Sequence, residues 1–169
     1  MNNLEKECDK HPVKYRNFEP QEFANSMKYK GIAYQKDFFE ELGKEYLRQS
    51  KGDADRGRAK LSGGLEDASK LCFMISEELE KECNLRSRKL NEEESERLKE
   101  DVKEFGYTNY FYQKAFFDEL RLVYQEGCVK SRNAAGTLEK ISENSYLMNR
   151  CFEKICKNCE KYMKNPNYK

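Results

Sequence analysis

Apolar positions recur along the chain with a helical period. Phe23, Met27, Tyr34, Phe38 and Leu42 follow one another at steps of four or seven and so share one helix face. Gly31 falls on that face, where a neighbouring helix can approach closely. Leu65, Ala68, Leu71, Cys72, Ile75 and Leu79 mark a second stripe. Between the two, the stretch from Lys51 to Gly64 carries Gly52, Gly57, Gly63 and Gly64 and predicts a loop. The plan then starts again: Val102, Phe105, Tyr112, Phe116 and Leu120 form a third stripe, residues Asn133 to Gly136 interrupt it, and Leu138, Ile141, Met148, Phe152, Ile155 and Tyr162 form a fourth. No run alternates with period two for long enough to predict a strand. Pro20 suits a helix start, Asn91 with Glu94 forms a capping-box pattern, and Thr137 is the expected N-cap of the last helix. The first and third helices, at about 30 residues, would span about 45 Å, with kinks expected near Gly31 and Gly106.

The restart is a duplication. Residues Tyr34-Gln35-Lys36-Asp37-Phe38-Phe39-Glu40-Glu41-Leu42 return as Tyr112-Gln113-Lys114-Ala115-Phe116-Phe117-Asp118-Glu119-Leu120, offset by 78, and nine of the 18 positions from 29 to 46 are identical in the second copy. Tyr29 falls on Tyr107 and Tyr46 on Tyr124; with one extra residue, Cys72-Phe73 falls on Cys151-Phe152. The expected fold is all-α, with two tandem helical-hairpin repeats packed as a pseudo-twofold four-helix assembly. A lead-in over 1–18 precedes the repeats at 19–85 and 91–163, and 164–169 is a tail. Each half is small enough for a core of its own to be marginal, which favours one shared core.

Composition sharpens this picture. A chain that is 37% charged resembles a disordered one, yet 11 Tyr and 10 Phe are far more rings than such chains carry. The apolar runs are too short for a membrane helix, and Met1 to Glu7 show no apolar signal segment. Lys and Arg (32) balance Asp and Glu (31), which argues against a nucleic-acid partner. His11 is the single histidine; a di-iron bundle needs two Glu-x-x-His motifs, so that family is excluded, and a Ser-His-Asp hydrolase would have to recruit His11 from the lead-in. Neither an enzyme nor a cofactor is expected.

The seven cysteines (Cys8, Cys72, Cys83, Cys128, Cys151, Cys156 and Cys159) allow three bridges and one leftover thiol, with the pairing open. Bridges would staple helices in an oxidising compartment. The alternative is a set of reduced thiols packed as small hydrophobes in an intracellular protein. A third reading joins Cys8-x-x-His11 to Cys156-x-x-Cys159 as four zinc ligands, at a separation that matches no zinc-finger spacing.

Three polar features remain. Gln35, Lys36, Gln113 and Lys114, repeated and off the apolar stripe, are candidates for a binding surface. Arg56, Arg58 and Lys60 form a basic loop that, before a helix N-terminus, could cradle a phosphate; as part of a basic end with Lys44, Arg48 and Lys51 it could steer an acidic partner. Glu92, Glu93, Glu94, Glu96, Glu100, Asp101 and Glu104 lie near a helix start, where carboxylates complement the dipole and face solvent.

Cysteines and tyrosines also alternate by halves. Cys8, then Tyr29, Tyr34 and Tyr46, then Cys72 and Cys83 occupy the first; Tyr107, Tyr112 and Tyr124, then Cys128, Cys151, Cys156 and Cys159 occupy the second. In this the chain resembles the bicycle proteins of gall-forming aphids, secreted effectors named for paired cysteine–tyrosine–cysteine units. The resemblance implies a non-enzymatic protein, secreted after removal of a signal peptide, that binds a host protein through a disulfide-stapled scaffold. The alternatives are an intracellular, cytoplasmic adaptor with reduced cysteines and a metal- or ligand-binding helical bundle.

Overall fold

The computed structural model describes residues 11–86, 89–130, 135–165, 167 and 168. Among the described residues there are six helices and no strand: α1 (Pro20–Met27), α2 (Ile32–Asp55), α3 (Ala59–Arg86), α4 (Glu92–Gly106), α5 (Tyr110–Lys130) and α6 (Ala135–Lys164). Both expected long helices are divided. Backbone 28–31 separates α1 from α2, and 107–109 separates α4 from α5, so the expected kinks are full breaks. α1 begins at Pro20 with a capping box between Glu19 and Glu22. α4 begins after Asn91, whose side chain accepts from the Glu94 N–H at 2.9 Å.

Two boundary expectations are corrected. The glycine-rich stretch from Lys51 to Gly64 is helical except at Arg56, Gly57 and Arg58, with α2 running to Asp55 and α3 starting at Ala59. Packing overrides propensity here. Ser50 Oγ donates to Ser62 O at 2.7 Å, zipping the antiparallel helices close to their turn. Gly64 serves close approach, since a Cβ there would stand 2.8 Å from Ile155 Cγ1 on α6. Within this stretch Gly57 adopts the left-handed conformation (φ 76°) that reverses the chain. Thr137 is likewise not an N-cap, because α6 starts two residues earlier.

α2 packs against α3 and α5 against α6; between the halves, α1 lies on α5, α4 on α2, and α3 on α6. One apolar cluster runs through all six helices. Its centre is aromatic: Phe23 stacks on Phe116 at 4.9 Å, and Phe105 meets Phe38 at 5.7 Å and Phe116 at 4.9 Å. The rings that set this chain apart from disordered ones therefore meet where the halves meet, adding edge-to-face and stacked geometry to area burial.

The hairpins are stitched by matching bonds. Ser69 Oγ donates to Gly43 O at 2.7 Å, and Ser142 Oγ donates to Arg121 O at 3.0 Å. Ser76 Oγ donates to Lys36 O at 3.0 Å, and Asn149 Nδ2 donates to Lys114 O at 3.0 Å. The acceptors keep the 78-residue offset, but the donors are 73 apart. By these bonds Cys72 corresponds to Ser145, and not to Cys151 as the sequence offset implied.

From His11 onward the lead-in is docked. Asn109 N–H donates to Pro12 O at 3.0 Å, and buried Tyr15 packs on Phe23 and Phe105. A tight turn with positive φ at Arg16 and Asn17 returns the chain, Phe18 N–H donating to Tyr15 O at 2.9 Å. Arg16 pairs with Asp101 and Glu104 on α4.

Candidate functional site

The repeat-matched quartet divides. Gln35 and Gln113 are buried, which corrects their assignment to a surface. Each holds a helix break closed: Gln35 Nε2 donates to Lys30 O at 2.8 Å, and Gln113 Nε2 to Thr108 O at 2.9 Å. Each Oε1 accepts from a tyrosine of the other half, Gln113 from Tyr46 Oη at 2.5 Å and Gln35 from Tyr124 Oη at 2.7 Å. Burial pushes both phenols well up from their ordinary range, so they remain donors. A primary amide has both donors and acceptors, which is what a break carbonyl and a crossing phenol together require. Lys36 and Lys114 are half-buried, and Lys36 pairs with Asp37 at 3.2 Å and Glu40 at 3.6 Å.

The breaks expose a different pair. Tyr29 is 82% exposed beside the α1–α2 break, and Tyr107 is 52% exposed beside the α4–α5 break. Lys28 Nζ lies 5.1 Å from the Tyr29 ring centroid; the His11 ring lies 4.7 Å from that of Tyr107. The other matched tyrosines face inward: Tyr46, Tyr112 and Tyr124 are buried, and Tyr34 is half-buried with its hydroxyl donating to Asp101 at 3.2 Å. Phe111 is a further exposed ring on α5. Sequence reasoning marked Tyr29 and Tyr107 as repeat identities and as members of the cysteine–tyrosine alternation, not as a surface; the signal available was that Tyr29 lies off the apolar stripe.

Cys72, Cys151 and Cys156 are free thiols. Cys8 and the side chains of Cys83 and Cys128 lie outside the described residues. The expected stapling thus finds no bridge among the described residues, because Cys72 sits in the apolar core and Cys151 Sγ donates instead to Gly64 O at 3.1 Å. Burial pushes the thiols of Cys151 and Cys156 up to about 11, and it raises that of Cys72 well above the ordinary thiol range. None of these three has the lowered pKa of a reactive cysteine. Among the described residues no three His, Cys, Asp or Glu side chains converge as metal ligands, and His11 is engaged with Tyr107, its Nδ1 at 2.7 Å from the backbone oxygen. No described helix is long and apolar enough to cross a membrane.

Arg56, Arg58 and Lys60 stand at the α2–α3 turn, where Arg58 reaches Asp53 at 3.5 Å and Lys60 Nζ donates to Tyr168 Oη at 2.8 Å. The acidic stretch of α4 is largely solvated, with Arg97 pairing Glu93 at 2.5 Å and Lys99 pairing Glu96 at 3.3 Å. Compared with protein-family models, curated proteins and solved structures, the chain matches none.

Proposed function

We propose that the protein is a non-enzymatic binding scaffold, two related hairpins interlocked about a pseudo-twofold axis, that engages a partner protein through its paired helix breaks. The observation that carries this reading is the exposure of Tyr29 and Tyr107 while the other matched tyrosines turn inward. Tyrosine is enriched where one side of a ring meets a partner and the other stays wet. Met74 and Leu147, 73 residues apart in α3 and α6, are likewise both exposed, extending the matched apolar exterior.

The resemblance to bicycle effectors extends the reading to a host partner outside the producing cell. The free thiols of buried Cys72 and Cys156 and of half-buried Cys151 favour the second setting, an intracellular adaptor whose thiols pack as small hydrophobes. Both settings share the binding role. It is tested by affinity capture followed by direct binding to the purified partner, comparing the native chain with Tyr29→Ser/Tyr107→Ser. Loss of binding in a variant with unchanged circular dichroism supports the role; equal binding contradicts it.

A further inference from the structure

α3 and α6 pack side by side, and the outer edge of their seam is apolar. Cys151 Sγ donates to Gly64 O at 3.1 Å and Lys140 Nζ reaches Glu78 at 3.9 Å, so the two helices run antiparallel between these contacts. Gly64, Asp67, Leu71, Met74 and Glu78 follow at steps of three or four on α3, and so share one face. Lys140, Leu147, Cys151 and Lys154 do the same on α6 at steps of seven, four and three. Leu71 lies seven residues from each contact, and Leu147 seven from one and four from the other, which brings the two level. Met74 and Leu147 are each 47% exposed, while Leu71 and Cys151 are half-buried against the core.

Both ends of this face carry an acid on α3 and a base on α6. At one end Glu78 pairs with Lys140, and on its own helix with Lys81 at 2.8 Å. At the other, Asp67 and Lys154 both act on the Cys151 thiol, with opposite signs. Of the neighbouring exposed cations, Lys70 pairs with Glu66 at 3.5 Å and Arg150 with Glu153 at 3.9 Å, each on its own helix. This order of charge makes the face complementary to itself. A twofold axis along the seam lays α3 of one copy over α6 of the other, so that Asp67 and Glu78 meet Lys154 and Lys140 of the second copy, and Leu71 and Met74 meet its Leu147. An axis across the seam would instead set Asp67 against Glu78 and Lys140 against Lys154. Charge therefore selects the first arrangement, a closed pair in which each contact occurs twice.

We propose that this seam is the interface of a weak homodimer, with α3 of each copy lying on α6 of the other. The face from Gly64 to Glu78 covers about 21 Å of helix, which is small for a permanent dimer and suits a reversible one. It lies on α3 and α6, whereas Tyr29 and Tyr107 stand at the α1–α2 and α4–α5 breaks, so dimerisation and the binding role are separate events.

Sedimentation velocity of the full chain tests this, from about 5 to about 500 µM, with reductant present so that no copies link through thiols. A reversible monomer–dimer equilibrium is expected, with Kd on the order of 10–100 µM. Leu147→Glu, at an exposed position, should weaken it about tenfold or more with unchanged circular dichroism. Asp67→Lys and Lys154→Asp should each weaken it about fivefold, and the double reversal Asp67→Lys/Lys154→Asp should restore it. Sedimentation independent of concentration up to about 500 µM would overturn the dimer and leave the face to a different molecule. Native-like dimerisation of Leu147→Glu, or a double reversal no stronger than the single ones, would overturn the interface.

Discussion

Tyr46 donates a 2.5 Å hydrogen bond to Gln113 across 67 residues of chain, and Tyr124 returns the bond to Gln35 at 2.7 Å. These two bonds tie each hairpin to the helix break of the other. Removing the donor alone leaves a buried amide oxygen without its partner, which costs about 1–3 kcal/mol. Tyr46→Phe and Tyr124→Phe are each expected to lower stability by that amount in urea unfolding. Adding Gln113→Leu to Tyr46→Phe should give a coupling of about 1 kcal/mol or more in a double-mutant cycle. Additive effects would mean that the bond carries little energy.

Two neighbouring glycines should respond oppositely to alanine. At Gly64 a new Cβ would stand 2.8 Å from Ile155 Cγ1, whereas at Gly63 nothing lies within 4 Å. Gly63→Ala is expected to stabilise by about 0.5–1 kcal/mol through helix propensity. Gly64→Ala forces the helices apart at an overpacking cost of about 1–3 kcal/mol, exceeding the same propensity gain. Thermal unfolding of the pair decides: Tm should rise for the first and fall for the second. Ile155→Ala, introduced together with Gly64→Ala, should recover part of the clash.

The buried thiols set an alkaline limit. Desolvation raises Cys151 and Cys156 to about 11, so the folded state holds these protons more tightly than the unfolded chain. The stability linked to them is complete below the ordinary thiol pKa and is lost as pH climbs towards 11. Burial likewise raises Tyr112 to about 12, which extends the loss upward. The urea midpoint should therefore fall steadily above about pH 9, and a flat profile to pH 11 would contradict the burial.

Alkylation reads the same thiols directly. Under native conditions at neutral pH, Cys72, Cys151 and Cys156 should resist iodoacetamide, because the thiolate is the nucleophile and burial disfavours it. In denaturant all three should label without prior reduction. A requirement for reductant at any of them would restore the stapled reading.

Helix identity and the core stripe were legible in the sequence because Phe38, Leu42, Phe116 and Leu120 follow the helical period and are all buried. The caps at Pro20 and Asn91 were legible for a similar reason, since capping depends on a few adjacent residues. The Lys51–Gly64 stretch misled because only Gly57 of its four glycines takes a backbone conformation that ends a helix, while Gly64 makes room inside one for Ile155, a residue 91 positions away. Gln35 and Gln113 misled in the same way. Polar and off the stripe, they read as solvent-facing, but their partners Tyr124 and Tyr46 come from the opposite half. Among the candidate residues, the basic turn was legible as charge, while its convergence with Tyr162 and Tyr168 depended on where α6 ends.

The central claim is that the halves form one interlocked core. Dividing the chain into 1–87 and 88–169 tests it most directly, by the amide dispersion and urea unfolding of each fragment alone and in an equimolar mixture. Neither fragment should show a cooperative transition by itself, because α1 is covered by α5 and α4 by α2. The mixture should restore the spectrum of the intact chain. Cooperative folding of 1–87 alone, with native-like dispersion, would contradict the interlocked core.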